Sequence, residues 1–287
     1  MNLQDYLHEQ YTPDTASVYG LEIGRYLANC PGAVTAAYKD ILFYIGALRS
    51  RYTNASTLNR ILCSIKAYYD FLCVSGQRPD NPAASILLKD QRSRDIQLQD
   101  LFTMEELEVL LNRPERYLNL SGRNKVLISL LIYQALYPVE MESIRVSDIN
   151  LDAGLIYIRA TAKTNGRELL LKPNQILLFY EYIREVRPQL LDGGTSEQLL
   201  IGQRGEPMTA EDITKHVKRS FKDLYPGRVV NAQTIRQSVI AHLLKQGHDL
   251  SVVQVFAGHK YPSTTERYRQ NEIETLKAAI DKYHPIQ

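Results

Sequence analysis

Apolar residues in the first quarter of the chain recur every three or four positions, in three blocks separated by breakers. Thr12-Pro13 reads as a cap followed by proline at the first helical position, and Tyr19, Ile23, Tyr26 and Leu27 then predict a helix of about four turns. Pro31-Gly32 ends it, and Tyr38, Ile41, Leu42, Ile45 and Leu48 predict a second helix over 36–48. A third begins near Ser56, with Leu58, Ile61, Leu62, Ile65, Tyr69 and Leu72 on one face, and closes at Gly76. Arg60, Ser64 and Lys66 fall off that stripe, where side chains meet phosphates or simply water; taken alone, a solvated face is the simpler account.

After Gly76 the pattern lapses into the proline-containing, charged stretch RPDNPAASILLKDQRSRDIQLQD, which reads as a linker. Periodicity resumes with a capping box from Thr103 to Glu106 and an apolar helix predicted to end at Pro138, followed by a short helix from Val139. LIYIRATAK and GRELLLK flank Asn165-Gly166, the signature of a two-residue hairpin turn with both central residues at positive φ. That turn places Lys163 and Arg167 at a hairpin tip. Pro173 starts a helix predicted to stop before Pro188, Leu199 to Ile201 reads as a short strand, and Thr209 caps the next helix. Three helices close the chain's second part: Thr234 to Lys245, Leu250 to Ala257 stopping at Gly258, and one capped by Ser263 that carries Tyr268. The pattern predicts a mainly α fold in two domains: an all-helical module over 1–92, a linker over 93–100, and a mostly helical domain with a small β-hairpin over 101–270. Residues 271–287 form a helical tail striped with Ile273, Leu276 and Ile280.

Composition adds little to this. The 287 residues carry a net charge of +2, 44% hydrophobic and 23% charged residues, which fits a folded chain and excludes disorder. Basic character is local: between Ile201 and Ile240, Arg204, Lys215, Lys218, Arg219, Lys222, Arg228 and Arg236 outnumber Glu206, Glu211, Asp212 and Asp223. Cys30, Cys63 and Cys73 have no metal-ligand spacing and are expected to be reduced thiols. The first residues lack a signal pattern and no apolar run reaches membrane length, so a cytoplasmic location without membrane partner is expected.

The chemistry concentrates between Asn231 and Gln270, where Arg236, Gly258-His259 and Tyr268 fall on consecutive helices. A guanidinium grips phosphate oxygens bidentately, an imidazole moves a proton, and a phenol is a nucleophile, a set suited to attack on a phosphodiester. Here the residues resemble a family. IRQSVIAHLLKQGHDLSVVQVFAGHKYPSTTERY is similar to the catalytic signature of the tyrosine recombinases, or phage-integrase family, which includes Xer-type enzymes of about this size. TLNRILCSIKAYYDFLCVSGQRPDNPA resembles the exit helix of their SAM-like core-binding domain.

The resemblance implies a catalytic domain of the tyrosine recombinase fold in which Tyr268 is the nucleophile, Arg236 and His259 hold the phosphate, and Lys163 is the general acid. Glu140 matches the family's glutamate, with Arg167 as a possible support, and Arg60, Ser64, Lys66, Arg145, Lys215, Lys218 and Arg219 are candidate DNA contacts. It also implies double-stranded DNA as partner, a clamp of two domains, four protomers in a synapse with the tail exchanged between them, and a second recombinase or DNA-bending protein as accessories. No metal or cofactor is expected, because the phosphotyrosyl bond conserves the energy of the broken diester. Such chains belong to the nucleoid of a bacterium or a mobile element. Two positions depart from the pattern: Tyr137 stands where the family has its first arginine, and Gln233 where it has a histidine; Gln237 follows Arg236 where histidine is frequent. Tyr137 offers one neutral hydroxyl for a bidentate cation, and Gln233 accepts no proton at neutral pH. Arg123, Arg145 and Arg167 are the candidates to replace the missing charge, with an arginine from a partner protomer as the alternative. Two readings stand: a recombinase with an altered active site, or a non-cleaving DNA-binding relative that organises a synapse or regulates a partner.

Overall fold

A computed structural model of the chain describes residues 2–88, 101–115, 117–222 and 224–268. It separates into two compact units, Met1–Arg94 and Asp95–Gln287. The predicted linker at 93–100 and the tail at 271–287 lie outside the described residues.

Among its described residues the first unit has four α-helices: α1 (Leu3–Gln10), α2 (Pro13–Asn29), α3 (Tyr38–Leu48) and α4 (Ala55–Val74). The periodicity missed α1 because only Tyr6 and Leu7 in it are buried; its start is set instead by a reciprocal cap between Asn2 and Asp5. Ile23, Tyr26, Ile41, Ile45, Ile61, Leu62 and Ile65 form the core, as their spacing predicts. Within it the Tyr69 hydroxyl donates to Ala33 O at 2.7 Å and lies 2.7 Å from the Tyr26 hydroxyl, so both buried phenols are satisfied. One candidate DNA contact on α4 is corrected here. Ser64 is fully buried and donates to Ile61 O at 2.7 Å, because its position on the helix faces the core. Arg60 is exposed and lies 3.4 Å from Glu22, and Lys66 Nζ is tied to Ala84 O at 2.9 Å.

The second unit is built on α6 (Ser121–Tyr133), whose Val126 to Ile132 are all buried. A helix apolar on every side sits inside a core, and α6 packs against α5 (Met104–Leu111), α8 (Pro173–Glu181) and α11 (Ala232–Lys245). The predicted box at Thr103 and Glu106 caps α5. Helix α6 ends four residues short of the position that Pro138 suggested, since Ala135 turns the chain at φ +50° and Pro138 instead opens α7 (Pro138–Ser143). A three-stranded antiparallel sheet follows: β1 (Ile149–Asn150), β2 (Leu155–Ile158) and β3 (Arg167–Leu170), with Ile158 opposite Arg167.

Three expectations fail in this unit. Asn165 and Gly166 are not at positive φ, so they are not the hairpin turn. The connection is a longer loop whose tight turn is Thr161 to Thr164, closed by Thr161 N–H to Thr164 O at 2.9 Å. The helix from Pro173 does not stop at Pro188. A π-helical turn at Tyr182–Val186, with Arg187 N–H bonded to Tyr182 O, leads into α9 (Arg187–Leu191), and the chain runs on through the proline. Leu199 to Ile201 is buried but makes only isolated bridges through its flanks, Gln198 with Arg145 and Ile201 with Pro207. Then come α10 (Ala210–Ser220), α11 and α12 (Leu250–Ala257), and residues 262–268 are helical from Pro262 rather than Ser263.

Removing the Tyr69 hydroxyl tests the first unit's polar core. Tyr69→Phe leaves Ala33 O and the Tyr26 hydroxyl without their partner and is expected to destabilise this unit by about 1–3 kcal/mol, read from urea unfolding by far-UV circular dichroism.

Candidate active site

Arg236 lies on the buried face of α11 and is 1% exposed. Its Nη1 donates to Ala135 O, its Nη2 donates to Ala257 O at 2.7 Å, and the Tyr137 ring covers it with the centroid 4.0 Å from Cζ. Its Nε has no partner among the described residues. Burial draws its pKa below the ordinary arginine value, and the neighbouring Tyr137 and Glu140 oppose that pull.

Gly258 ends α12 at φ +69°, a conformation that costs an L-residue strain. A Cβ there would stand 2.4 Å from Arg167 Nη1 and 2.8 Å from its Cζ, so glycine is also needed for clearance. The turn delivers His259, which is buried, with Nδ1 at 2.8 Å from the Thr265 hydroxyl and Nε2 without a partner among the described residues. Burial first, then Arg236 and Arg167, lower its pKa to about 4, so the ring is neutral at neutral pH. Tyr268 is 8% exposed and its ring stacks against His259 at 6.4 Å between centroids and 13° between planes. Burial raises its pKa to about 12, partly offset by Arg236, so the phenol is protonated and needs a base.

The loop between β2 and β3 docks on the same turn. Thr164 pairs with His259, Asn165 N–H donates to Gly258 O at 2.8 Å, and Lys260 Nζ donates to Ala162 O at 3.0 Å. Lys163 lies in this anchored loop with its side chain exposed. Arg167 does not share that position and is no tip residue. It begins β3 buried, with Nη1 at 2.7 Å from Glu140 Oε1, Nη2 at 3.5 Å from Glu140 Oε2, and Nε donating to Phe256 O at 2.7 Å. Glu140, fully buried, also takes the Tyr137 backbone N–H at 2.8 Å.

The structure thus gathers Arg236, His259, Tyr268, Tyr137, Glu140 and Arg167, with Lys163 in the adjoining loop. Gln233 is exposed and Gln237 half-buried on α11, and neither side chain has a hydrogen bond within the described residues. Of the arginines proposed to replace the missing one, two lie elsewhere. Arg123 is buried against Asn124, Ile201 O and Met208, and Arg145 is exposed beside Glu197 at 2.7 Å. Of the remaining candidate DNA contacts, Lys215 pairs with Glu211 at 2.8 Å, and Lys218 and Arg219 are exposed in the last turn of α10. Sequence reasoning missed Thr265 and Thr164, and it missed the carbonyls of Ala135, Phe256 and Ala257. The carbonyls carry no side-chain signal, and Thr265 was visible only as a hydroxyl six residues after the histidine.

Residues 100–274 match the phage integrase family. The chain belongs to the phage integrase family. Its relatives include the tyrosine recombinase XerD of Halalkalibacterium halodurans, 25% identical over 99% of this chain and 97% of that protein. Among solved structures, the XerH recombinase bound to its difH substrate in a pre-cleavage complex matches with a TM-score of 0.69 and 19% identity, over 92% of this chain and 78% of that one. The Tn1549 transposon integrase bound to transposon right-end DNA matches with a TM-score of 0.68 and 16% identity, over 99% of both chains. The fold is that of the tyrosine recombinases, mostly helical with a small antiparallel sheet. Among the described residues no helix is long and apolar enough to cross a membrane, and no group of three or more His, Cys, Asp and Glu is placed to hold a metal.

Gly258→Ala is expected to lower stability by about 1–3 kcal/mol by thermal unfolding and to loosen both Arg167 and His259, because strain and clash coincide there. The depressed pKa values of His259 and His216, each about 4, set a pH dependence. Unfolding frees each ring to bind a proton at its ordinary value near 6.5. Stability is therefore complete above about pH 6.5 and falls as pH drops toward 4, by up to about 1.4 kcal/mol per pH unit per histidine. Urea titrations across that window are expected to show a shallower loss in His216→Gln.

Proposed function

We propose that the chain is a site-specific DNA recombinase that cuts and rejoins duplex DNA through a 3′-phosphotyrosyl intermediate. The observation that carries this reading is the burial of Tyr268 and neutral His259, ring against ring, beside a guanidinium whose Nε is unpartnered. A cation, a base and a protonated phenol kept from water are costly to bury for packing alone. They fit a phosphodiester that brings its own negative charge.

In the step proposed, Tyr268 Oη forms the bond to phosphorus and its proton passes to His259 Nε2. The bond from phosphorus to the 5′-oxygen breaks, and that oxygen takes a proton from Lys163 Nζ. Arg236 stabilises the charge building on the non-bridging oxygens, and Glu140 neutralises one of the two buried guanidiniums in the resting pocket. Rejoining runs the same transfers backwards, with a 5′-hydroxyl as the attacking group. Lys218 and Arg219 on α10, and Arg60 on α4, are the exposed cations proposed to meet DNA phosphates. Tetramer formation on DNA, and a partner recombinase or bending protein, belong to the same proposal. So do the domain roles: core binding by residues 1–92 and catalysis by 101–270.

Nicked genomic fragments from the source organism, incubated with the protein and recovered as detergent-resistant adducts, test the reading. Adducts are expected with the native chain and none with Tyr268→Phe. DNA retention without any adduct would favour the non-cleaving relative instead. On the nicked duplex so identified, Lys163→Ala is expected to slow cleavage by about 10²–10⁴-fold. A 5′-bridging sulfur at the scissile phosphate should restore most of the loss, since a thiolate leaves without a proton.

A further inference from the structure

The missing first arginine leaves the pocket short of one cation, and the structure shows another guanidinium inside it. Arg236 and Arg167 hold adjacent carbonyls at the end of α12: Arg236 Nη2 donates to Ala257 O and Arg167 Nε donates to Phe256 O, each at 2.7 Å. They come from different elements, α11 and β3, and converge on the turn that carries His259. Tyr137, where an arginine would have stood, lies flat on Arg236 and adds no charge. Glu140 is ion-paired to Arg167, and its charge is also felt at Arg236.

From this geometry we infer that Arg167 is the relocated second cation of the phosphate pocket, entering from β3 in place of an arginine at position 137. The inference rests on the recombinase reading for its chemistry. Three features support it. Gly258 leaves space that Arg167 fills, since a Cβ would overlap its guanidinium. Among the described residues Arg167 Nη2 has only the 3.5 Å contact with Glu140, so it keeps an N–H for a phosphate oxygen. Two buried guanidiniums against one buried carboxylate leave an excess positive charge that an anion satisfies.

A role limited to neutralising Glu140 is the competing account, and paired substitutions separate the two. Arg167→Gln is expected to slow phosphotyrosyl formation on the nicked duplex by about 10²–10³-fold. Arg167→Gln combined with Glu140→Gln removes the ion pair without leaving a charge stranded, and it is expected to stay equally slow; a rate within about threefold of native would overturn the inference. Adding Tyr137→Arg to Arg167→Gln is expected to recover at least about tenfold, because the cation returns from the other side of the pocket; no recovery in a chain that still melts cooperatively counts against it. A readout independent of cleavage uses inorganic vanadate, titrated calorimetrically into the full chain. The Arg167→Gln and Glu140→Gln double variant should bind it at least about tenfold more weakly than native, with Lys125→Gln as the surface control; equal affinity would overturn the inference. If the native chain forms no adduct on any DNA, the recombinase reading fails, and the vanadate titration still decides whether Arg167 builds an anion site.

Discussion

Two buried guanidiniums, one of them ion-paired to a buried carboxylate, are the constraint on which the second unit turns. Each alone would be expensive to remove from water. Arg167 is held by Glu140, and both arginines are further satisfied by the terminal carbonyls of α12, whose helix dipole favours cations at that end. The Tyr137 ring closes over Arg236 and keeps solvent out. This arrangement forces glycine at 258 and determines the path of the β2–β3 loop across it.

From that cluster the pH behaviour of the site follows. The same burial that makes the arginines costly keeps His259 neutral and Tyr268 protonated, so their protonation states are assigned by environment rather than by residue type alone. Lys163 sits outside this dry region, in a loop pinned by Thr164 to His259 and by Lys260 to Ala162 O. It is an exposed cation carried on an anchored backbone. Membership of the phage integrase family gives the cluster its chemical context, while Tyr137 and Gln233 make its composition particular to this chain.

Much of this was legible in the residues. Long amphipathic stripes marked α2, α4 and α11, and capping patterns at Thr103 and Thr209 located helix starts that the structure retains. The departures share a physical origin. Asn165-Gly166 is strong local turn chemistry, yet the loop is bent by its pairing with Gly258 and His259, a contact nearly a hundred residues away in sequence. Pro188 is a strong local stop, yet a widened turn upstream lets the helix continue. Ser64 showed a polar residue beside an apolar stripe, and only the packing of α4 decided that it faces inward.

The amino-acid order by itself determined the kinds of group available for chemistry, their placement on consecutive helices, and the two substituted positions, because residue type and helical period are local properties. The tertiary structure alone decided which arginine shares the pocket. Arg123, Arg145 and Arg167 all stood as candidates in sequence, and only the pairing of β3 with β2 and the docking of α12 put Arg167 beside Glu140. It also decided the protonation of His259 and Tyr268, since desolvation depends on what other segments cover, and no stretch of chain covers itself.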